Sequence, residues 1–476
     1  MYMKRILFTL PITCLVLAAT AQSYKITLQS NFSSGIAYLT HHAGSNLNVD
    51  DSAAVSGSGL AIFVGNRTLP AGIYAIVFPG KKITSDFLIG KEQVISIKAD
   101  TAALLDMKVN GSPENVLFQQ YQQYVNKQGR LLNREREAYN KATTAKDSAL
   151  HESNYRRYNS ELNDYRTGII TDKPTSMMAI ILNAMREPAM LNKTLRTRQD
   201  TIDSYQYYKS QYWDGISFMD DAVVRTPFFP AKLQRYYREI MPQDPDSIIQ
   251  DADYKLLLAR SSPEMYKYLL NWLTDEYINP KYMGQDAIFV HLFEKYHSKG
   301  LTPWLNAKQN EVITRRAYML MANLVGEKAA NLELLDTANA VKSLYNVKAE
   351  YTVVVFWDPN CGHCKEELPR IDSFYRQNWQ AKNVKLYAVM TEYDTLGWKA
   401  FINKNKLTDW THVHHTLQML KEETEAQKPS FKQLYDITQT PTLYLLDKEK
   451  RIVGKKLTPQ QLNELLQVKW TTAKTK

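Results

Sequence analysis

One segment of the chain, EYTVVVFWD at residues 350–358, is apolar and β-branched without any polar alternation. A strand with one solvated face alternates apolar and polar side chains, whereas a strand covered on both faces does not. The segment therefore predicts a central strand buried between two layers. EELPRIDSFYRQNWQ, residues 366–380, follows with helical spacing, so we expect the strand to lead almost directly into a helix.

The rest of residues 325–476 continues to alternate between strand and helix patterns. The predicted elements are a buried strand at 383–391, a helix at 395–405, a short strand at 409–415, a hairpin at 440–457 and a closing helix at 458–470. This order is typical of an α/β unit with a mixed sheet.

Two other patterns precede this segment. Residues 22–111 hold short alternating runs separated by Gly, Asn, Asp and Pro, which predict an all-β sandwich. At Ser112 and Pro113, a good N-cap and a good first helical residue, the apolar spacing changes to three and four. Residues 112–324 therefore predict a central all-α bundle, and the expected architecture is β sandwich, α bundle and α/β domain.

The first 21 residues have the pattern of a secretory signal peptide. Lys4 and Arg5 precede an apolar run, which ends at the small-residue pattern Ala19-Thr20-Ala21. The run is shorter than the roughly 20 apolar residues of a membrane span. We expect cleavage after Ala21 and export, with the periplasm as the destination; an uncleaved segment would instead anchor the protein to a membrane. A lipoprotein signal at Cys14 is disfavoured because Thr13 is not small.

The charge pattern limits the partners. The formal net charge is +10, but no block of Lys and Arg occurs that could follow a phosphate backbone. Nucleic acid is therefore not an expected partner, while acidic proteins or an anionic membrane surface remain open.

Cysteine is nearly absent except for one close pair, Cys361 and Cys364 in FWDPNCGHCKEELP. An exported protein usually uses cysteines for structural disulfides, but a bridge across two residues constrains the unfolded chain little. A zinc site needs about four ligands. His412, His414 and His415 could add to the pair, with His412 and His414 on one strand face, but nothing places them near it. We expect no metal and no cofactor, and redox chemistry is the favoured interpretation.

The predicted position of the pair suits that chemistry. Cys361 lies where a strand ends and a helix begins, and the N–H groups and partial positive charge of a helix start favour a thiolate. Cys361 is therefore the expected nucleophile. Cys364, deeper in the helix, would resolve the mixed disulfide, and His363 between them adds positive charge that favours the reduced form.

The segment VVVFWDPNCGHCK resembles the active-site segment of the thioredoxin superfamily. Pro369 matches the proline that kinks the first helix of that fold, and Pro441 in TQTPTLYLLD matches its cis-proline. CGHCKEELP is most similar to the exported TlpA-like thiol–disulfide oxidoreductases, with the pattern C-x-x-C-x-x-E-x-P. The resemblance covers roughly the last 150 residues, and the β and helical domains in front have no function assigned by it.

The resemblance implies disulfide exchange with protein thiols through Cys361 and Cys364, with substrate contacts from Trp357, Thr440 and Pro441. It also implies a membrane or periplasmic electron donor or acceptor. The oligomeric state stays open. The alternative is a binding or scaffold protein whose front domains recognise a partner.

Three positions depart from related patterns. Val355 stands where thioredoxins keep a buried Asp, and Gly-His replaces Gly-Pro between the cysteines, so the direction of electron flow stays open. Asp358 occupies the position where a peroxiredoxin carries Thr, which disfavours peroxidase chemistry. Glu367, three residues after Cys364 on the same helical face, is the expected proton relay in place of Val355. Glu366 is expected to point into solvent.

Overall fold

The computed structural model describes residues 24–44, 46–191 and 193–474. The predicted signal peptide, residues 1–21, and Cys14 lie outside the described residues. The chain divides into two compact units: the first ends at Ile240 and also includes Leu258–Met265, and the second comprises Met241–Leu257 and the chain from Tyr266 onward.

The first unit begins with a β-sandwich. Its strands are β1 (Tyr24–Ser30), β2 (Ile36–Ala43), β3 (Asn46–Ala54), β4 (Leu60–Gly65), β5 (Gly72–Val77), β6 (Thr84–Ile89), β7 (Val94–Ala99) and β8 (Lys108–Asn110). They form two four-stranded sheets, with orders β4-β1-β7-β8 and β3-β2-β5-β6. Inward residues of both sheets, such as Ile26, Phe63 and Phe87, make one apolar core, as the alternating pattern predicted.

Helices follow the sandwich from Pro113 onward. They are α1 (Pro113–Lys141), α2 (Ala145–Asp172), α3 (Met177–Ala184), α4 (Arg198–Ser210), α5 (Phe229–Arg235), α6 (Pro245–Leu258), α7 (Pro263–Tyr277), α8 (Asp286–Leu292) and α9 (Ala307–Met321). Ser112 occupies the N-cap position of α1 as predicted, but its side chain makes no capping hydrogen bond. The amide of Asn115 instead ties α1 to β6 through two 2.7 Å bonds with the backbone of Leu88.

The last part of the chain folds around a seven-stranded mixed sheet. Its strands are β9 (Glu333–Asp336), β10 (Val341–Ser343), β11 (Tyr351–Trp357), β12 (Val384–Met390), β13 (Thr411–His414), β14 (Thr442–Asp447) and β15 (Ile452–Lys455), in the order β10-β9-β13-β12-β11-β14-β15. The helices are α10 (Gly362–Phe374), α11 (Thr395–Lys404), α12 (Leu417–Glu425), α13 (Phe431–Leu434) and α14 (Pro459–Lys474).

Strand β11 is the central strand that the sequence predicted. It runs parallel to β12 and antiparallel to β14. Val353 and Val355 face one apolar cluster while Val354 and Phe356 face another, so both faces of the strand are covered. This explains why the segment shows no polar alternation.

The predicted fold class is confirmed: a β-sandwich, a helical region and an α/β domain follow one another along the chain. The division into compact units falls inside the helical region at Ile240 and coincides with neither predicted domain boundary. The boundaries predicted at residues 111 and 324 therefore stay a prediction. Within the described part of the chain, no helix combines the length and the apolar character that crossing a bilayer requires.

Candidate active site

The two cysteines lie where the central strand passes into helix α10. Strand β11 ends at Trp357, a turn follows in which the Cys361 N–H donates to the Asp358 carbonyl at 3.2 Å, and Cys361 occupies the N-cap position of α10. Both cysteines are free thiols in this structure. The sequence prediction of a strand leading directly into a helix at the pair is confirmed.

Cys361 is the accessible member of the pair. Its partial burial raises its pKa, but hydrogen bonds with the side chain of Thr440, with Cys364 and with the backbone of His363 outweigh that effect, and the resulting pKa lies below the ordinary value. Backbone N–H groups at a helix start stabilise a thiolate in this way. The geometry therefore makes Cys361 the more nucleophilic thiol of the two.

Cys364 has the opposite environment. Its side chain is 0% exposed and packs in the apolar cluster beneath the sheet, beside Leu368 and Ile371. Burial raises its pKa to about 12, because a thiolate there would lose its hydration without gaining a cation. Cys364 is thus held as a thiol until something removes its proton.

Pro441 lies beside the pair, as the resemblance implied. The Thr440–Pro441 peptide bond is cis. The Cys361 thiol donates to the Thr440 carbonyl oxygen at an Sγ–O distance of 3.3 Å. The start of β14 is therefore in direct contact with the thiol that the helix presents.

A cavity of about 630 Å³ extends from Pro441 along helix α10. Its lining combines apolar and charged side chains, namely Phe374, Leu443, Leu457, Glu367, Arg370 and Lys456. A cavity of this size accommodates several side chains of a bound segment.

Glu367 lies partly buried at the wall of this cavity, with 24% of its side chain exposed. Its carboxylate accepts a 2.8 Å hydrogen bond from Arg370, one turn further along the helix. Glu366 and His363 are exposed. The structure thus places Glu367 and Glu366 on different sides of α10, as expected, and the proton-relay role of Glu367 stays a prediction.

The substrate contact expected of Trp357 stays a prediction, and the structure places its side chain in the core. Its side chain is 0% exposed and packs against the rings of Phe401 and His412, at centroid distances of 5.2 and 6.2 Å. A run of six buried residues at the end of β11 leaves no exposed face for the indole. Val355 is buried on the same strand, so no carboxylate enters the core from that position.

The three histidines that were considered as metal ligands have other partners. His412 donates from Nε2 to the Leu407 carbonyl at 2.8 Å, and His412 and His414 both pack against Trp398, which confirms that they share a strand face. His415 lies 3.2 Å from Glu423. Among the described residues, no group of three or more His, Cys, Asp or Glu side chains is arranged to hold a metal ion.

Sequence reasoning missed two charged residues that border the site. Arg370 was detectable, since a cation three residues after Glu367 lies on the same helical face. Asp436 lies five positions before Pro441 and is fully buried. Its role was not detectable in the sequence, because its cationic partner Arg316 is 120 residues away.

A mixed sheet with a C-x-x-C pair at a helix start and a cis-proline in contact with the first cysteine defines a thioredoxin-like module. The C-terminal region of this chain is such a module. Residues 325–455 match the AhpC/TSA family model, which agrees with this class.

Three similar proteins carry names of the thiol–disulfide or thioredoxin-like kind. The chain is 29% identical over 126 residues to sporulation thiol-disulfide oxidoreductase A of Bacillus subtilis, covering 26% of this chain and 68% of that protein. A domain of a possible thiol-disulfide isomerase from Cytophaga hutchinsonii is 36% identical over 32% of this chain and 97% of its own, with a TM-score of 0.28. A thioredoxin-like protein from Bacteroides caccae is 21% identical over 60% of this chain and 98% of its own, with a TM-score of 0.45.

Proposed function

We propose that this protein is an exported thiol–disulfide oxidoreductase that exchanges disulfides with protein thiols through Cys361 and Cys364. The observation that carries the proposal is the contrast within the pair. Cys361 is accessible, has a lowered pKa and contacts Thr440 beside the cis-proline, while Cys364 is buried behind it. An accessible thiolate backed by a second thiol is the arrangement that thiol–disulfide exchange requires.

In the reducing direction, the Cys361 thiolate attacks one sulfur of a client disulfide. The client S–S bond breaks, its other sulfur leaves as a thiolate, and Cys361 and the client are joined in a mixed disulfide. Cys364 then loses its proton and attacks the Cys361 sulfur, which releases the second client thiol. Two electrons have passed to the client, and the pair is left as a disulfide.

In the oxidising direction the same steps run in reverse, and the pair accepts two electrons from a client dithiol. Either direction needs a second redox partner that restores the pair, and we propose a membrane or periplasmic donor or acceptor for that role. Resolution needs a group that takes the Cys364 proton. Glu367 is our candidate, because it lies one turn further along α10 at a partly exposed position.

The test uses the mature chain from Gln22 onward. This chain should reduce insulin disulfides when a chemical reductant restores its cysteine pair, or it should oxidise a reduced test protein when its own pair starts as a disulfide. Cys361→Ser should remove that activity. Hydrogen peroxide serves as a separate substrate, since turnover of peroxide instead of protein disulfides would point to peroxidase chemistry. Activity that survives Cys361→Ser would contradict the proposal, and activity toward neither substrate would favour the binding-protein alternative.

Export is a proposal on the sequence pattern of residues 1–21. Its test is the N-terminal sequence of the protein recovered from the periplasmic fraction of the producing cells. We expect the sequence to begin at Gln22. A retained Met1 in the membrane fraction would show an uncleaved anchor, and a lipid-modified Cys14 would show a lipoprotein.

A further inference from the structure

A cluster of charged side chains around one buried carboxylate connects helix α9 with the segment that carries the cis-proline. Arg316 of α9 donates from Nη1 to Oδ1 of Asp436 at 2.6 Å, and Lys456 donates from Nζ to Oδ2 of the same carboxylate at 2.5 Å. Arg316 also donates from Nε to the Ile278 carbonyl at 3.1 Å, so its guanidinium is fixed on two sides. All four residues belong to the second compact unit.

Asp436 is in a position to control the backbone that follows it. Its side chain is fully buried, and its φ of 47° lies in the left-handed region, which Asp adopts more readily than most non-glycine residues. Three residues separate it from Thr440, whose carbonyl accepts the hydrogen bond of the Cys361 thiol. The anchor and the contact to the nucleophile therefore lie on one short connection.

A second set of contacts holds the same region from the end of α9. Asn323 donates from its amide to the Leu434 carbonyl at 3.1 Å. Lys455 donates from Nζ to the Asn323 side-chain oxygen at 2.7 Å and pairs with the buried carboxylate of Asp286. The connection before β14 and the chain after β15 are thus both fixed by residues that precede the module.

Asp436 stays ionised in this cluster. Burial raises its pKa, but the hydrogen bonds and charges of Arg316 and Lys456 outweigh that effect, so the pKa lies below the ordinary value for Asp. A buried carboxylate that loses one of its cations becomes strongly destabilised and rearranges. Removing Arg316 should therefore move the Asp436 segment rather than leave it in place.

We propose that Arg316 is a positioning residue that, through Asp436, holds Thr440 against Cys361 and so sets the reactivity of the nucleophile. The inference rests on the proposed function, and it assigns to the helical region a role in the redox site. The family match begins at residue 325, so Arg316, Asn323 and Asp286 all lie outside it. The helical region then supplies part of the structure that tunes the thiol.

The test compares Arg316→Met with Arg315→Met, an exposed residue of the same helix that loses the same charge. Alkylation of Cys361 by iodoacetamide is measured in the reduced full-length mature chain as a function of pH, with mass spectrometry to identify the modified cysteine. The side chain of Thr440 lowers the pKa of Cys361 through a hydrogen bond that is separate from the carbonyl contact, so moving Thr440 away should raise that pKa. A rise of about half a pH unit slows alkylation at neutral pH by about threefold.

We expect that shift in Arg316→Met and in Asp436→Asn, and a wild-type profile in Arg315→Met. Circular dichroism and a melting curve show whether each variant is folded. Should Arg316→Met not fold, Arg316→Lys carries the test, because an ammonium cannot bond Ile278 and Asp436 in the same geometry; it should shift the profile in the same direction by less.

A folded Arg316 variant with an unchanged alkylation profile overturns the inference. So does an equal shift in Arg315→Met, since net charge alone would then explain the effect. The measurement reports thiol reactivity and needs no turnover. A protein without activity on insulin can therefore fail the proposed function while the positioning role is still measured.

Discussion

Cys361 and Cys364 are three residues apart on one helix start, yet only Cys361 reaches the surface, and the pKa values of the two thiols are shifted in opposite directions. This difference in exposure determines which thiol attacks and which resolves, so the two roles can be separated by trapping the mixed disulfide. Cys364→Ser should accumulate mixed disulfides with client proteins, and Cys361→Ser should accumulate none. Non-reducing gels followed by mass spectrometry measure both, and they name the clients. A reversed pattern would show that Cys364 is the nucleophile.

Glu367 and Glu366 form a matched pair of variants on helix α10. If Glu367 takes the proton of Cys364, Glu367→Gln should slow resolution of the mixed disulfide by about tenfold or more, with the first attack by Cys361 unaffected. Glu366→Gln removes the same charge from an exposed position and should resolve at the wild-type rate. Rapid-quench measurement of both steps provides the comparison. Equal resolution rates in the two variants would exclude Glu367 as the relay.

Lys455 is buried with Asp286 at the end of strand β15, and burial lowers the pKa of Lys455. Lys455→Met leaves the Asp286 carboxylate buried without its cation, which should reduce the free energy of unfolding by about 3 to 5 kcal/mol. Lys448→Met, in the exposed turn of the same hairpin, should change it by less than about 0.5 kcal/mol. Urea unfolding curves measure the free energy of unfolding of both variants. A similar loss of unfolding free energy in the two variants would mean that the burial of Lys455 with Asp286 does not determine the effect.

His412 should make stability depend on pH in the acidic range. Burial lowers its pKa to about 4, whereas an unfolded histidine titrates near 6.5. Between these values the unfolded chain binds a proton that the folded chain does not. Stability is therefore complete above pH 6.5 and is lost as the pH falls toward 4.

His412→Gln should flatten that loss, since the amide can still donate to the Leu407 carbonyl but cannot titrate. Burial also lowers the pKa of His297 to about 4, so His297→Gln should reduce the loss of stability at acidic pH in the same way. Urea midpoints at a series of pH values from about 4.5 to 7.5 cover the window in which the two histidines titrate. An unchanged slope in His412→Gln would show that its ring is accessible to protons in the folded state.

Much of the redox module could be predicted because its signals are local. The unalternating segment at β11 predicted a strand covered on both faces. The resemblance of TQTPTLYLLD to the cis-proline segment of the thioredoxin superfamily predicted that Pro441 lies beside the cysteines. A strand buried on both faces gives no sign of which side chain reaches the surface, so the substrate contact of Trp357 followed from the resemblance alone. The catalytic roles of His363 and Glu367 stay predictions.

Other features had weak or distant signals. Strand β3 has a weak signal in the sequence because it is an edge strand that pairs with β2 and carries polar residues such as Asp50 and Asp51. The long helix α2 also has a weak signal, because few of its residues are buried and its apolar period is therefore faint. The contact between Arg316 and Asp436 depends on the folded topology and has no counterpart in local sequence.

The cluster around Asp436 also bears on how such chains can be assembled by recombination. A module cut at residue 325 would leave Asp436 with Lys456 alone and Lys455 without a carboxylate, because Arg316, Asn323 and Asp286 would be lost together. Buried charges without partners are costly. The piece of chain that keeps these charges paired therefore includes helices α8 and α9, and it begins well before residue 325, where the family match begins.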